Sequence, residues 1–75
     1  MTLDELLNGK IFKHSIHHRL EIKKSTYTDQ LFISNNGVWL CNIEEINEEY
    51  IKVFSFLFDQ KVETTVLLKD LKPCN

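Results

Sequence analysis

The sequence predicts a mainly β fold, a small five-stranded, strongly bent antiparallel barrel preceded by one short N-terminal helix. The strongest observation is a pair of runs rich in β-branched and aromatic residues, 50–58 and 62–68, on either side of Asp59-Gln60-Lys61. Such a pair is typical of a β-hairpin. Turn signals recur about every 8–12 residues elsewhere, as in small closed barrels. A chain of 75 residues is expected to form one domain, 1–75, with its barrel at 12–73.

Residues 2–8 are predicted to form a capping helix. Thr2 is a favourable N-cap, and Glu5 follows three residues later in the capping-box arrangement. The three leucines of this segment fall on one face, and Asn8-Gly9 supplies a stop signal. A helix this short does not persist alone, so we expect its leucines to close one end of the barrel.

Residues 10–24 alternate strictly between two faces, which predicts a first strand with one face in water. A bend near Ser15 would split this strand. The face expected to point inward carries Phe12, His14, Ile16, His18, Leu20 and Ile22.

The middle of the chain predicts two further strands. Residues 25–29 are polar and indicate a turn before a short strand at 30–34. Asn35-Asn36-Gly37 is the strongest turn signal, because Asn and Gly tolerate positive φ, and a third strand is expected at 38–43. The acidic segment 44–49 breaks the alternation, so it is a bulged edge, a tight loop or a polar rim between sheets.

The central hairpin organises the predicted barrel. In its first strand Phe54, Phe56 and Phe58 share one face, and aliphatic residues occupy the other. A strand that is apolar on both faces is expected to be central. After the second strand, Leu71 is expected to plug the base of the barrel and Pro73 to stop further pairing.

The segment 37–73 resembles the Tudor-type module of the Src-homology-3-like barrels. The residues that carry the resemblance are Gly37-Val38-Trp39, Val53-Phe54, Asp59, Val66, Leu68 and Asp70-Leu71-Lys72-Pro73. The resemblance implies a small barrel and an aromatic cage for a methylated Lys or Arg, with Trp39 as one wall. The chain departs from the family at Gln60-Lys61-Val62, where the family has Tyr-Gly-Asn. This departure removes one aromatic wall and places a cation where the ligand's cation would bind.

Composition narrows the function classes. The net charge of −2 does not indicate nucleic acid or an anionic membrane as a partner. No run approaches the roughly 20 apolar residues of a membrane span, and the acidic N-terminus does not have the order of a signal peptide. Cys41 and Cys74 are expected to be reduced thiols, so a cytoplasmic protein is predicted. Self-association would help a domain this small, whose stability is expected to be about 3–5 kcal/mol.

The sequence shows no group of residues spaced for catalysis, so neither an enzyme nor a cofactor is expected. The cluster His14, His17 and His18 has the residue type of a zinc site. On an extended strand, however, His17 and His18 point to opposite faces, which argues against a shared metal. A cysteine nucleophile would need a histidine within hydrogen-bond reach, and nothing local arranges one.

The first functional hypothesis is therefore a non-enzymatic adaptor or small inhibitor that binds another protein. It rests on large aromatics in excess of what a small barrel buries, next to charge, as in interface hot spots. The predicted partner-binding residues are Trp39, Tyr50, Glu44, Glu45, Glu48 and Glu49. The alternative is an RNA- or DNA-binding barrel that uses the basic segment 10–24. Its predicted contacts are Lys13, Arg19, Lys23, Lys24 and Tyr27, although its phenylalanines are expected to be needed in the core.

Overall fold

The computed structural model describes residues 1–74, so Asn75, the last residue of the predicted domain, lies outside the described residues. The fold is mainly β, as predicted: one antiparallel sheet curves into a half-barrel, with one short α-helix before it. The elements are α1 (Leu3–Leu7), β1 (Phe12–His14), β2 (His17–Lys24), β3 (Leu31–Asn35), β4 (Val38–Ile46), β5 (Tyr50–Leu57), β6 (Gln60–Leu67), a 3₁₀ helix (Leu68–Asp70) and β7 (Lys72–Pro73). The strand order is β6-β5-β4-β3-β2-β1-β7, which makes β6 and β7 the edges.

The N-terminal helix forms as its capping residues predict. The Thr2 hydroxyl accepts a hydrogen bond from the Glu5 backbone N–H at 3.2 Å, and the Glu5 carboxylate accepts one from the Thr2 N–H at 3.0 Å. Leu6 is completely buried against the core. The N-terminal amine donates to the carbonyls of Leu68 and Leu71, which ties the helix to the 3₁₀ helix.

The predicted first strand is split at Ser15, where the sequence indicates a bend, and the chain reverses there into a hairpin. Ser15, with φ 54°, lies in a turn that pairs His14 with His17 and Phe12 with Leu20. The chain therefore reverses, and the single inward face expected for residues 12–22 is wrong at two positions. Ile16 is 82% exposed at the turn, and His18 is also exposed.

The Asn-Gly turn and the acidic segment take defined forms. Asn36 and Gly37 have φ of 54° and 85°, the positive values that a two-residue type I′ turn requires. A bulge lies between Ile43 and Glu45, and β4 runs on to residue 46 before a short turn at 47–49. The acidic segment thus combines two of the predicted alternatives, a bulge followed by a tight loop.

The predicted hairpin is confirmed, but its turn begins one residue earlier than the expected break at 59–61, and it lies at one side of the sheet because β6 is an edge strand. Strand β5 lies between β4 and β6, and its ladder with β6 runs from the Tyr50–Leu67 pair to the Leu57–Gln60 pair without a register shift. The turn between them consists of Phe58 and Asp59, both with positive φ.

The end of the chain explains why seven strands form instead of five. The first predicted strand divides in two, and Lys72–Pro73 forms an additional strand after the 3₁₀ helix. Pro73 was expected to stop pairing, but it pairs with Phe12, which is permitted because β7 is an edge strand. Leu71 is buried at the base, as predicted.

The buried core lies toward the helix end of the half-barrel. Nine apolar side chains form it: Leu6, Phe12, Leu20, Ile22, Ile33, Ile43, Ile51, Leu68 and Leu71. Of the five phenylalanines, only Phe12 belongs to this core, so the expectation that the phenylalanines are needed there is wrong. We call the opposite end, which carries the 36–37 and 58–59 turns, the distal end.

Candidate protein-binding surface

Two bulges in β4 determine which side chains face outward. The β3–β4 register passes from the Ile33–Cys41 pair to the Ser34–Trp39 pair, so one extra residue is inserted in β4. Because an inserted residue reverses the alternation, Trp39 and Asn42 lie on the same side of the sheet. The Trp39 Nε1–H donates to the Asn42 Oδ1 at 3.3 Å, and Asn42 pairs across the sheet with Phe54.

Exposed apolar side chains gather at the distal end. Asn42–Phe54 is the last β4–β5 pair toward this end, beyond which β4 extends to Val38 and β5 to Leu57. Trp39 is 52% exposed, Phe56 64% and Phe58 92%. We define the distal patch as these three residues with Val38 and Leu57, both more than half exposed. Grouped exposed apolar side chains of this kind mark interaction sites, whereas scattered ones do not.

Beside the distal patch lies a network of ion pairs on the outer face of β4, β5 and β6. Lys61 Nζ lies 2.6 Å from the Glu44 carboxylate and 3.1 Å from that of Glu63, and Lys52 lies 3.5 Å from each. The Lys61 ammonium lowers the pKa of Glu44, and the two carboxylates raise the pKa of both lysines. Lys61 Nζ also lies 4.7 Å from the centroid of the Phe54 ring, so the chain's own cation covers this aromatic face.

Tyr50 and Glu45 lie on the same outer face but at its other end. The Tyr50 hydroxyl donates to the Glu45 carboxylate at 2.9 Å, which raises the pKa of Tyr50. Counted on the unbulged partner strands, four ladder steps separate Glu45 from Trp39, a distance of about 14 Å at about 3.4 Å per residue. Glu48 and Glu49 are exposed in the 47–49 turn. The predicted partner-binding residues therefore form two groups rather than one.

The inner face of the half-barrel is an open apolar trough of about 320 Å³. Its floor includes Cys41, Val53 and Val66, and His14 and His17 lie at its rim from the β1–β2 hairpin. Burial raises the pKa of the Cys41 thiol. Cys41 and Cys74 are both free thiols.

Known protein families, curated proteins and solved structures give no match to this chain. Within residues 1–74, no helix is long and apolar enough to cross a membrane. Over the same part of the chain, no group of three or more His, Cys, Asp and Glu side chains is arranged to hold a metal ion.

The predicted nucleic-acid residues are dispersed, and part of their charge is paired. Lys23 lies 3.8 Å from Glu21, and Lys24 lies 3.3 Å from Asp29. Tyr27 is 94% exposed in the loop between β2 and β3. The remaining predicted contacts, Lys13 and Arg19, lie on β1 and β2.

Sequence reasoning found Trp39 but missed the rest of the distal patch. The alternation of residues 50–58 places Phe56 and Phe58 in a strand that is apolar on both faces, a pattern that normally indicates burial. One local signal was available: Phe58 directly precedes Asp59, a residue type common in two-residue turns. In the structure these two residues form the turn. A turn residue between two strands projects from the end of the sheet, whatever its hydrophobicity.

Proposed function

We propose that this protein is a non-enzymatic interaction module, an adaptor or small inhibitor, that binds a protein partner through the distal patch. The observation that carries the proposal is the exposure of Trp39, Phe56 and Phe58 together at one end of the sheet. Trp is the residue type most typical of binding hot spots, and an apolar centre bordered by charge is the usual composition of an interface. The ion pairs around Lys61 supply such a charged border.

Tyr50 and the acidic residues belong to the same proposal as a second contact region. A standard protein–protein interface buries about 800 Å² on each partner, which corresponds to a patch roughly 30 Å across. One partner of ordinary size therefore spans the distance of about 14 Å between Trp39 and Glu45. Glu44 and Glu45 already have partners on this chain, so the exposed Glu48 contributes the less compensated charge.

We also propose a finer assignment of the barrel fold and a cellular location for the protein. We infer a variant of the Src-homology-3-like barrel with Tudor-type features. The Asp70–Pro73 ending supports this, because it runs from the last residue of the 3₁₀ helix into the strand that returns to β1. The position of Lys61 over Phe54 favours a protein surface over a methyl-ammonium ligand as the occupant of this region. The two free thiols are consistent with a cytoplasmic location.

Affinity capture from the native host with matched variants tests the proposal. Trp39→Ala removes the aromatic side chain of β4 from the patch, and Tyr27→Ala removes a more exposed aromatic at the opposite end of β3. We expect a partner that is retained by the wild type and by Tyr27→Ala but lost from Trp39→Ala, with unchanged circular dichroism in all three proteins. A set of captured proteins that does not differ between the two variants would contradict the proposal.

The alternative, nucleic-acid binding, retains one structural observation in its favour. Lys13 and Lys72 are cross-strand neighbours on β1 and β7, and His14 and His18 lie around the same shallow depression. Asp70 also lines that depression and reduces its positive charge. A salt titration of oligonucleotide binding tests this alternative, because phosphate contacts give a steep dependence of affinity on salt. The alternative requires a steep slope that Lys13→Ala reduces.

A further inference from the structure

We infer that two copies of this chain pair through the free edge of β6, so that two half-barrel sheets join into one continuous sheet. This inference concerns a different surface from the distal patch and goes beyond the proposed partner binding. It starts from a difference between the two edges of the sheet.

The two edges are not equally able to accept another strand. Strand β7 has two residues and ends in Pro73, which has no N–H to donate. Natural proteins block edge-to-edge pairing with such short, proline-containing edges. Strand β6 has eight residues, contains no proline, and pairs with β5 without a bulge. An edge of this regularity is a template for β-strand addition.

The register of the β5–β6 hairpin shows which backbone groups are free. In a two-residue hairpin the pair that flanks the turn, here Leu57 and Gln60, exchanges both hydrogen bonds. Even-numbered residues of β6 therefore direct their N–H and C=O groups toward β5. The N–H and C=O groups of Lys61, Glu63 and Thr65 point away from β5, toward the open edge.

The sequence of β6 identifies the second strand as another copy of itself. An antiparallel pair related by a twofold axis at Val62 places Lys61 of each copy opposite Glu63 of the other. Shifting the pair by one residue toward either end places Lys61 opposite Lys61, or Glu63 opposite Glu63. Opposite charges across a strand pair stabilise it and like charges destabilise it, so charge complementarity selects the register centred on Val62.

The apolar residues agree with this register. Val62 lies on the inner face, lines the trough and is 45% exposed. The twofold axis brings Val62 of one copy against Val62 of the other as a non-hydrogen-bonded pair, in which side chains approach most closely. Trp39 and Phe56 lie on other strands, β4 and β5, so pairing at the edge leaves them available to a partner.

The first test is the mass of the wild-type chain in solution. Light scattering after size exclusion is expected to give twice the chain mass of 8.9 kDa at high protein concentration and to fall toward 8.9 kDa on dilution. Glu63→Pro removes an outward N–H without affecting the hydrogen bonds to β5, and should remain monomeric. Glu63→Gln keeps the N–H and serves as its control, with a dimer that is weakened but present. A wild type that is monomeric throughout would overturn the inference, as would a dimer that survives Glu63→Pro.

Cross-linking tests the register without relying on the proline variant. In a Cys41→Ala/Cys74→Ala background, Val62→Cys places two thiols opposite each other at about 4.5 Å between Cα atoms, which is within disulfide range. Thr64→Cys is the matched control, since it lies on the same face two residues further along β6. We expect mild oxidation to cross-link Val62→Cys at least tenfold faster than Thr64→Cys. Equal rates, or cross-linking only at Thr64→Cys, would exclude the proposed register. Trp39→Ala separates the two proposals, because it should abolish partner capture and leave the dimer mass unchanged.

Discussion

Replacing Phe58 by asparagine should stabilise the protein, although it removes a large apolar side chain. Phe58 has φ 51° in the turn between β5 and β6. A left-handed backbone costs an ordinary L-residue about 1–2 kcal/mol, and asparagine tolerates it better. Full burial of a Phe side chain contributes about 1.5–3 kcal/mol, but Phe58 is 92% exposed, so little is lost. We expect Phe58→Asn to raise the free energy of unfolding by about 0.5–1 kcal/mol.

The 36–37 turn provides the reciprocal control. Asn36 has φ 54° at the equivalent turn position, so Asn36→Phe should lower the free energy of unfolding by a similar amount. Urea unfolding followed by circular dichroism measures both variants. The expected change in Tm is roughly 4–8 °C per kcal/mol for a domain of this size. A Phe58→Asn variant that is no more stable than the wild type would show that the Phe58 ring contributes packing that its exposure does not reveal. If the proposed function is correct, the stabilised variant also binds its partner more weakly.

Three further predictions follow from the core and the charged residues. Ile51 is 1% exposed, so Ile51→Ala should cost about 2–5 kcal/mol, which is comparable with the expected stability of about 3–5 kcal/mol. Loss of the cooperative transition on heating, or a large fall in Tm, is the expected result. The Thr2 backbone N–H and Lys10 hold the pKa of Glu5 at about 2, below its ordinary 4.5. The lowered pKa of Glu5 stabilises the fold fully above pH 4.5, and this stabilisation is lost as the pH falls toward about 2. Tm should therefore fall less over this pH range in Glu5→Gln than in the wild type. An equal fall in both proteins would contradict this role of Glu5. Lys61→Met should lower Tm at low salt. The difference in Tm from the wild type should shrink in about 1 M salt, because the Debye length there is only about 3 Å. A difference in Tm that does not depend on salt would show that the ion pairs do not cause it.

The parts of the fold that the sequence predicts are those determined locally. The capping box at Thr2 and Glu5 and the turn at Asn36-Gly37 each depend on residues within four positions of one another. Their side chains hydrogen-bond to the adjacent backbone or permit positive φ, so tertiary contacts are not needed to specify them. The β5–β6 hairpin was also predictable, because its two apolar runs lie next to each other in the chain, although its turn begins at Phe58, before the polar residues 59–61.

Features that depend on how the sheet curves were not predictable. The bulge beside Trp39 reverses the alternation within an otherwise regular strand, and no residue of unusual backbone preference marks it. Ser15 takes a positive φ without the Gly or Asn that normally signals a turn, so the sequence indicated a bend there but not the full reversal into the β1–β2 hairpin. The exposure of Phe56 reflects a sheet that closes around the helix end and remains open at the distal end, which strand periodicity does not reveal.

Cys41 offers an internal reporter on the open side of the sheet. Its thiol lies on the floor of the trough, and burial raises its pKa, so the reactive thiolate is scarce at neutral pH. Alkylation of Cys41 should therefore be slow compared with that of Cys74 near the chain end. Any molecule that binds in the trough over Cys41 would slow the alkylation further, whereas fraying of the neighbouring strands would accelerate it. The rate of modification at this one sulfur thus distinguishes occupancy of the concave side from loosening of the sheet, without the introduction of a foreign label.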